Sequence, residues 1–251
     1  MDGAFWTVAV AAAMLVGMGK GGVPVVGMLA VPLMALVMSP VTAAGLLLPV
    51  YVVSDLFGLY AYRHAFDRRV LAIMLPGAVV GIWIGWRTAA AVPETMVTLL
   101  VGVIGLAFAL NLLIRRSAVT TPRRPEVVPG VFWGAVTGFT SFVSHAGAPP
   151  YQVYTLPLGM SRTVFAGTST IAFAVINAVK LVPYYALGQL SPGNLKVAAL
   201  LAIPAALAVF VGVALVNRMP ERLFFRLVTW ALLLISIRLV WSGGAGLLPP
   251  P

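Results

Sequence analysis

GMGKGGVPVVGMLAVPL at residues 17–33 and FVSHAGAPPYQVYTLPL at residues 142–158 are two copies of one pattern, a Gly/Pro break inside apolar sequence. In register, Gly22 aligns with Gly147, Pro24 with Pro149, Pro32 with Pro157 and Leu33 with Leu158, and Lys20 falls opposite His145. Four identities in seventeen are weak alone, but the correspondence continues downstream. Val92-Pro93-Glu94 returns as Met219-Pro220-Glu221, Ala44-Gly45 as Ala166-Gly167, and Asp55 falls opposite Asn177. The offset stays between 122 and 127 residues. Broken apolar segments at corresponding positions of two halves point to a transporter whose site lies at the repeat interface.

Composition supports a membrane setting. Of 251 residues, 61% are hydrophobic and 9% charged, with a mean hydropathy of +1.03. A water-soluble domain carries roughly a quarter charged residues, so the solvent of this chain is lipid. The net charge of +10 does not indicate nucleic acid, because the arginines sit in short loops and form no basic face. The chain has no cysteine and only two histidines, His64 and His145. Disulfides and thiolate sites are excluded, and neither a metal nor a cofactor is expected. The opening MDGAFWTVAVAAAML lacks the basic region of a signal peptide and reads as a retained first membrane segment.

Apolar segments fall near 4–18, 24–38, 41–61, 70–89 and 95–114, then near 129–143, 149–160, 163–186, 195–216 and 222–241. The expected fold is an all-α integral membrane protein of two repeats, 1–116 and 129–251, joined by a polar linker at 117–128. The first two segments of each repeat are short. About 14 helical residues cover only ~21 Å of the ~30 Å hydrocarbon core. They are either re-entrant half-helices or tilted, broken spans. Arg63, Arg68 and Arg69 in the 62–70 loop, and Arg115, Arg116, Arg123 and Arg124 in the polar stretch 115–128, place both loops in the cytoplasm. Counting crossings then puts both termini outside. Arginine bias swaps between equivalent loops of the two halves, as an inverted repeat requires and a parallel repeat does not. The Trp residues at 6, 83, 86, 133, 230 and 241 mostly lie near segment ends, where interfacial anchors sit.

Ionisable residues inside a membrane are costly and usually functional. Lys20, Asp55, His145 and Lys180 stand out, and Asp55 is the one acid well inside an apolar segment. Lys20 lies in Gly19-Lys20-Gly21-Gly22-x-Pro24, where a helix N-terminus after the break would add positive character for an anion. Ser144-His145-Ala146-Gly147 repeats the construction. The competing readings are a snorkelling lysine and a packing histidine. Asp55 is a proton carrier, a partner for Lys20 or Lys180, or a structural acceptor. Lys180 shares a helix face with Asn177. Thr168, Ser169 and Thr170 either bind ligand or bond back to their own helix. Gln152, Tyr151 and Tyr154 follow the second break. The small residues of 72–85 and 202–214 read as close helix packing.

These motifs resemble a known family. Gly19-Lys20-Gly21-Gly22-x-Pro24 with Val31-Pro32-Leu33 resembles the first-repeat signature of the TauE/SafE family, also called the sulfite exporter or TSUP family. Gly147-x-Pro149, Leu156-Pro157-Leu158 and Ala166-Gly167-Thr168-Ser169 resemble its second-repeat pattern. The resemblance runs from about residue 5 to 242. It implies a bacterial inner-membrane carrier of small sulfur-containing anions such as sulfite, sulfoacetate or taurine. The partners expected are that anion, the bilayer, a coupling proton and a second copy of the chain in a homodimer. A passive anion channel competes, but it needs a continuous polar path for which polar residues are few. An intramembrane enzyme is the third reading, and no nucleophile–base–orienter set supports it.

Overall fold

A computed structural model of the chain describes residues 3–88, 91, 93–114 and 122–246. Arg115 and Arg116 of the linker, Val92 of the downstream echo and the tail beyond 246 lie outside the described residues. Among the described residues every regular element is helical. The helices are α1 (Gly3–Lys20), α2 (Pro24–Gly27), α3 (Ala30–Met34), α4 (Pro40–Tyr62), α5 (Arg68–Thr88), α6 (Glu94–Ile114), α7 (Val127–Val143), α8 (Ala148–Thr155), α9 (Arg162–Ala186), α10 (Pro192–Arg218) and α11 (Glu221–Ala245). A 3-10 turn, Leu156–Leu158, follows α8.

Seven of these helices are long and apolar enough to cross a membrane: α1, α4, α5, α6, α9, α10 and α11. At 17 residues, α7 is shorter. The expected segments 24–38 and 149–160 are not single helices. Pro24, Gly27 and Pro32 leave only four- and five-residue turns in the first. In the second, the helix tightens at Pro157 and stops at left-handed Gly159. Ser-Pro pairs open α4 and α10. The Ser39 hydroxyl accepts from the Thr42 N–H, and the Ser191 hydroxyl accepts from the Asn194 N–H.

The chain forms two compact units, and each draws on both halves of the sequence. The first comprises Met1–Asp67 and Arg162–Met219. In it α1 packs along α10, and α4 packs on α9 and α10. Its core joins Ala9, Ala13, Val16, Met34, Leu47 and Leu201. The second comprises Arg68–Ser161 and Pro220–Pro251. There α5 packs along α7, α6 along α11, and α8 against α6 and α7.

Hydrocarbon supplies no hydrophobic drive between helices, so close contact depends on small side chains. The stripes at 72–85 and 202–214 serve that purpose. A Cβ on Gly77 would run into the Val131 carbonyl, and one on Gly81 into that of Ala135. Across the same seam, Gly134 faces the Met74 carbonyl and Gly138 that of Ala78. In the first unit Gly17 meets the Ala205 carbonyl, and Gly21 lies against Gly212. Leu100, Val103, Ile203, Leu207 and Leu234 are exposed, which suits contact with lipid chains.

Gly138→Leu should therefore lower the unfolding midpoint of the detergent-purified protein by about 5 °C or more, since overpacking costs about 1–3 kcal/mol. Gly244→Ala, at a position with open space, should leave the midpoint unchanged. Equal midpoints for the two variants would show that the α5–α7 seam is not close-packed.

Candidate substrate site

α1 ends at Lys20 because two glycines follow and Pro24 starts a new turn. Gly22 has φ +115, a conformation that needs glycine. A Cβ there would lie 2.6 Å from the Ala166 Cβ and 2.6 Å from the Tyr62 hydroxyl. Gly19 is equally confined, with Gly27 backbone 2.8 Å from a Cβ at that position.

Two helices hold the break from either side. On α4 the residues are Tyr51, Asp55, Gly58 and Tyr62, one stripe at helical spacing. The Tyr51 hydroxyl donates to the Gly27 carbonyl at 2.7 Å, and the Tyr62 hydroxyl donates to the Gly21 carbonyl at 2.6 Å. Gly58 lets the Lys20 backbone approach, since a Cβ there would sit 3.0 Å from the Lys20 carbonyl oxygen. On α9 a second stripe runs through Ala166, Thr170, Phe173, Asn177, Lys180 and Tyr184. The Thr170 hydroxyl donates to the Lys20 carbonyl at 3.0 Å.

Within this clamp Lys20 Nζ lies 2.7 Å from Asp55 Oδ1, with both side chains buried. Asn177 Nδ2 donates to the other carboxylate oxygen at 2.9 Å. The ammonium also lies 5.2 Å from the centre of the Tyr51 ring and 5.9 Å from that of Phe173, within cation–π range. Lys180 is buried as well, with Nζ 5.5 Å from the Tyr184 ring centre. It lies within electrostatic reach of both Lys20 and Asp55. The cluster thus holds two lysines and one carboxylate, a buried surplus of positive charge when all three are ionised. The adjacent Ser54 hydroxyl is wholly buried and has no hydrogen-bond partner among the described residues.

The structure brings Gly19, Lys20, Gly21, Gly22, Asp55, Asn177 and Lys180 together, with Pro24 opening the turn beyond the break. Of the hydroxyl run, Thr168 donates to the Val164 carbonyl and accepts from the Asp67 N–H. Ser169 donates to the Ala166 carbonyl. Both are engaged in the protein framework.

The second motif lies in the other compact unit. α7 ends at Val143, and the Ser144 hydroxyl donates back to the Thr140 carbonyl. His145 adopts φ +53, uncommon for a residue with a side chain. Gly147 precedes α8. The Gln152 amide is wholly buried, and neither of its polar atoms has a hydrogen-bond partner among the described residues.

Three backbone N–H groups at the breaks are engaged within the chain. The Gly21 N–H donates to the Gly17 carbonyl, that of Gly22 to Gly19, and that of Ala146 to Thr140. Pro24, Pro149 and Pro150 have no N–H, and α2 is only four residues long. Lys20 places a full positive charge at the first break. Sequence reading also missed the clamp residues Tyr51, Tyr62 and Phe173. The signal was the spacing of 51, 55, 58 and 62, which marks one helix face.

These features define a multi-pass membrane protein with a buried, charge-paired cluster at a broken helix. Comparison with protein families matches residues 6–239 to the family described as Sulfite exporter TauE/SafE. The chain belongs to that family of membrane transporters. Comparisons with curated proteins and with solved structures return no match.

Removing one partner of a buried ion pair costs about 3–5 kcal/mol, because the other charge is left uncompensated. Asp55→Asn should therefore destabilise the protein strongly, and the Lys20→Met/Asp55→Asn double variant should recover most of the loss. Additive losses in thermal unfolding would show that the two groups do not interact.

Proposed function

We propose that this protein is a secondary transporter of a small organosulfur anion, such as sulfite, sulfoacetate or taurine, across the bacterial inner membrane by alternating access. The observation that carries this reading is the buried cluster of two lysines and one aspartate beside the first break. The cluster's lysines outnumber its one carboxylate, and in low dielectric their attraction for an incoming anion is large. Lys20 and Lys180 bind the anionic group, Asn177 and the Gly19–Gly22 backbone shape its surroundings, and Asp55 carries the coupling proton. Thr168 and Ser169 line the same stretch of α9. Ser144, His145, Ala146, Gly147 and Gln152 are the counterparts in the second motif, and we assign them a substrate-contacting role of their own. No catalytic role is assigned to any residue.

Two inverted repeats, 1–116 and 129–251, underlie the mechanism. The helix pairings support this. α1 packs on α10, and their equivalents α7 and α5 pack on each other. α4 packs on its own equivalent α9, and α6 on α11. Asp55 and Asn177, at matching positions of the two halves, bond to one another, as residues near a two-fold axis do. The arginine distribution supports a cytoplasmic 62–70 loop and linker with external termini. A homodimer is our reading of the assembly.

Proteoliposome uptake with a panel of sulfite, sulfoacetate, taurine and acetate provides the test. Saturable flux of at least one sulfur anion is expected, reduced about tenfold or more by Lys180→Met or Lys20→Met in protein that remains monodisperse. Undiminished flux in both variants would remove the cluster from the transport path, and flux that never saturates would indicate a channel. An imposed proton gradient should drive accumulation by the wild type. It should fail to do so in the Lys20→Met/Asp55→Asn variant, whose charge balance is retained. Equal stimulation of both would clear Asp55 of proton coupling.

A further inference from the structure

A pocket of about 140 Å3 lies in the second compact unit, whereas the buried lysines belong to the first, with Arg123, Arg124, Glu126, Trp133, Tyr154 and Pro157 among its lining residues. Its walls are tied together. The Arg123 N–H donates to the Pro157 carbonyl at 3.0 Å, and the Tyr154 hydroxyl donates to the Glu126 carbonyl at 3.0 Å. Pro122 rests against left-handed Gly159, where a Cβ would come within 2.9 Å of it. The end of the linker is thus fastened onto the turn that follows α8.

The chemistry of this pocket is that of the membrane boundary. Two arginines sit where the polar linker becomes apolar α7. Among the described residues neither forms a salt bridge. Guanidinium groups match phosphate oxygens through paired N–H donors. The lining also holds one acid, Glu126, which leaves the arginines in excess, and an indole and a phenol, side chains that favour headgroup depth. Immediately beside it Val128 is 80% exposed and Phe132 59% exposed, an apolar surface suited to acyl chains. A freely dissolved anion has no use for such a flank, whereas a lipid needs both parts.

We infer that this pocket binds the phosphate headgroup of an anionic phospholipid, with the acyl chains lying along the start of α7. Arg123 and Arg124 hold the phosphate, and Trp133 and Tyr154 set its depth. Because Tyr154 belongs to α8, a bound headgroup ties the linker to the second broken segment. The inference does not depend on which solute the protein carries.

The full chain, purified in a neutral detergent, is titrated with phosphatidylglycerol, with phosphatidylcholine or with inorganic phosphate alone. Binding is read by native mass spectrometry and by the unfolding midpoint. Phosphatidylglycerol should bind and raise the midpoint by about 4 °C, and phosphatidylcholine should do neither. The Arg123→Gln/Arg124→Gln variant should lose both effects, while Arg68→Gln/Arg69→Gln, altered at another basic loop, should keep them. Equal phosphatidylglycerol binding by wild type and the Arg123/Arg124 variant would overturn the assignment. Inorganic phosphate that reproduces the full shift would identify a free anion as the occupant and overturn the lipid reading. Elution as a monodisperse species separates lost binding from lost folding.

Discussion

The ion pair between Lys20 and Asp55 is the constraint around which the first compact unit is arranged. A lysine at the end of a helix in apolar surroundings is stable only if its charge is answered. Asp55 answers it from α4, and Asn177 orients the carboxylate from α9. Three chain segments far apart in sequence are drawn to one point. The rest follows from bringing their backbones close enough. Gly22 and Gly58 remove side chains that would block the approach. Tyr62 and Thr170 then satisfy the Gly21 and Lys20 carbonyls where α1 stops, and Tyr51 satisfies that of Gly27 at the end of α2. In hydrocarbon no water would do so, so an irregular backbone is tolerated only inside such a clamp.

Lipid as solvent explains both the packing and its economy of charge. With no hydrophobic drive between helices, contact is achieved by bringing backbones together over Gly and Ala. The same device appears in both units, on α1–α10 and on α5–α7. The charged residues that remain inside are then few enough to be read individually. Lys180 stands out as a second buried lysine beside the carboxylate that Lys20 and Asn177 contact. An anion beside such a cluster would lower the cost of burying its charge.

Much of the fold was legible in the sequence. Membrane residence came from composition, and the breaks came from Gly21-Gly22-x-Pro24 and Gly147-x-Pro149, because these residues act locally on the backbone. The small-residue stripes were read as packing surfaces, and the structure uses them so. Lys20, Asp55 and Lys180 were singled out because ionisable residues are rare in lipid. Less legible was how the breaks would be used. The expected helix N-termini assume a free start to the following helix. Pro149, Pro150 and the four-residue α2 leave little of one. The Gly21, Gly22 and Ala146 N–H groups go to carbonyls of the preceding helix, a use that motif spacing does not reveal.

The sequence alone determined the solvent of this protein, its doubled broken motif and the short roster of buried charges. Those properties follow from composition and from local backbone chemistry. It left open whether Asp55 would pair with Lys20, with Lys180 or with neither. Only the tertiary structure decided that, by laying α4 against α9 so that residues 122 positions apart share a hydrogen bond. Helix faces meet through the packing of whole stripes, 51–62 on one side and 166–184 on the other. Which stripe meets which is a property of the assembled unit, because each stripe alone is compatible with several partners.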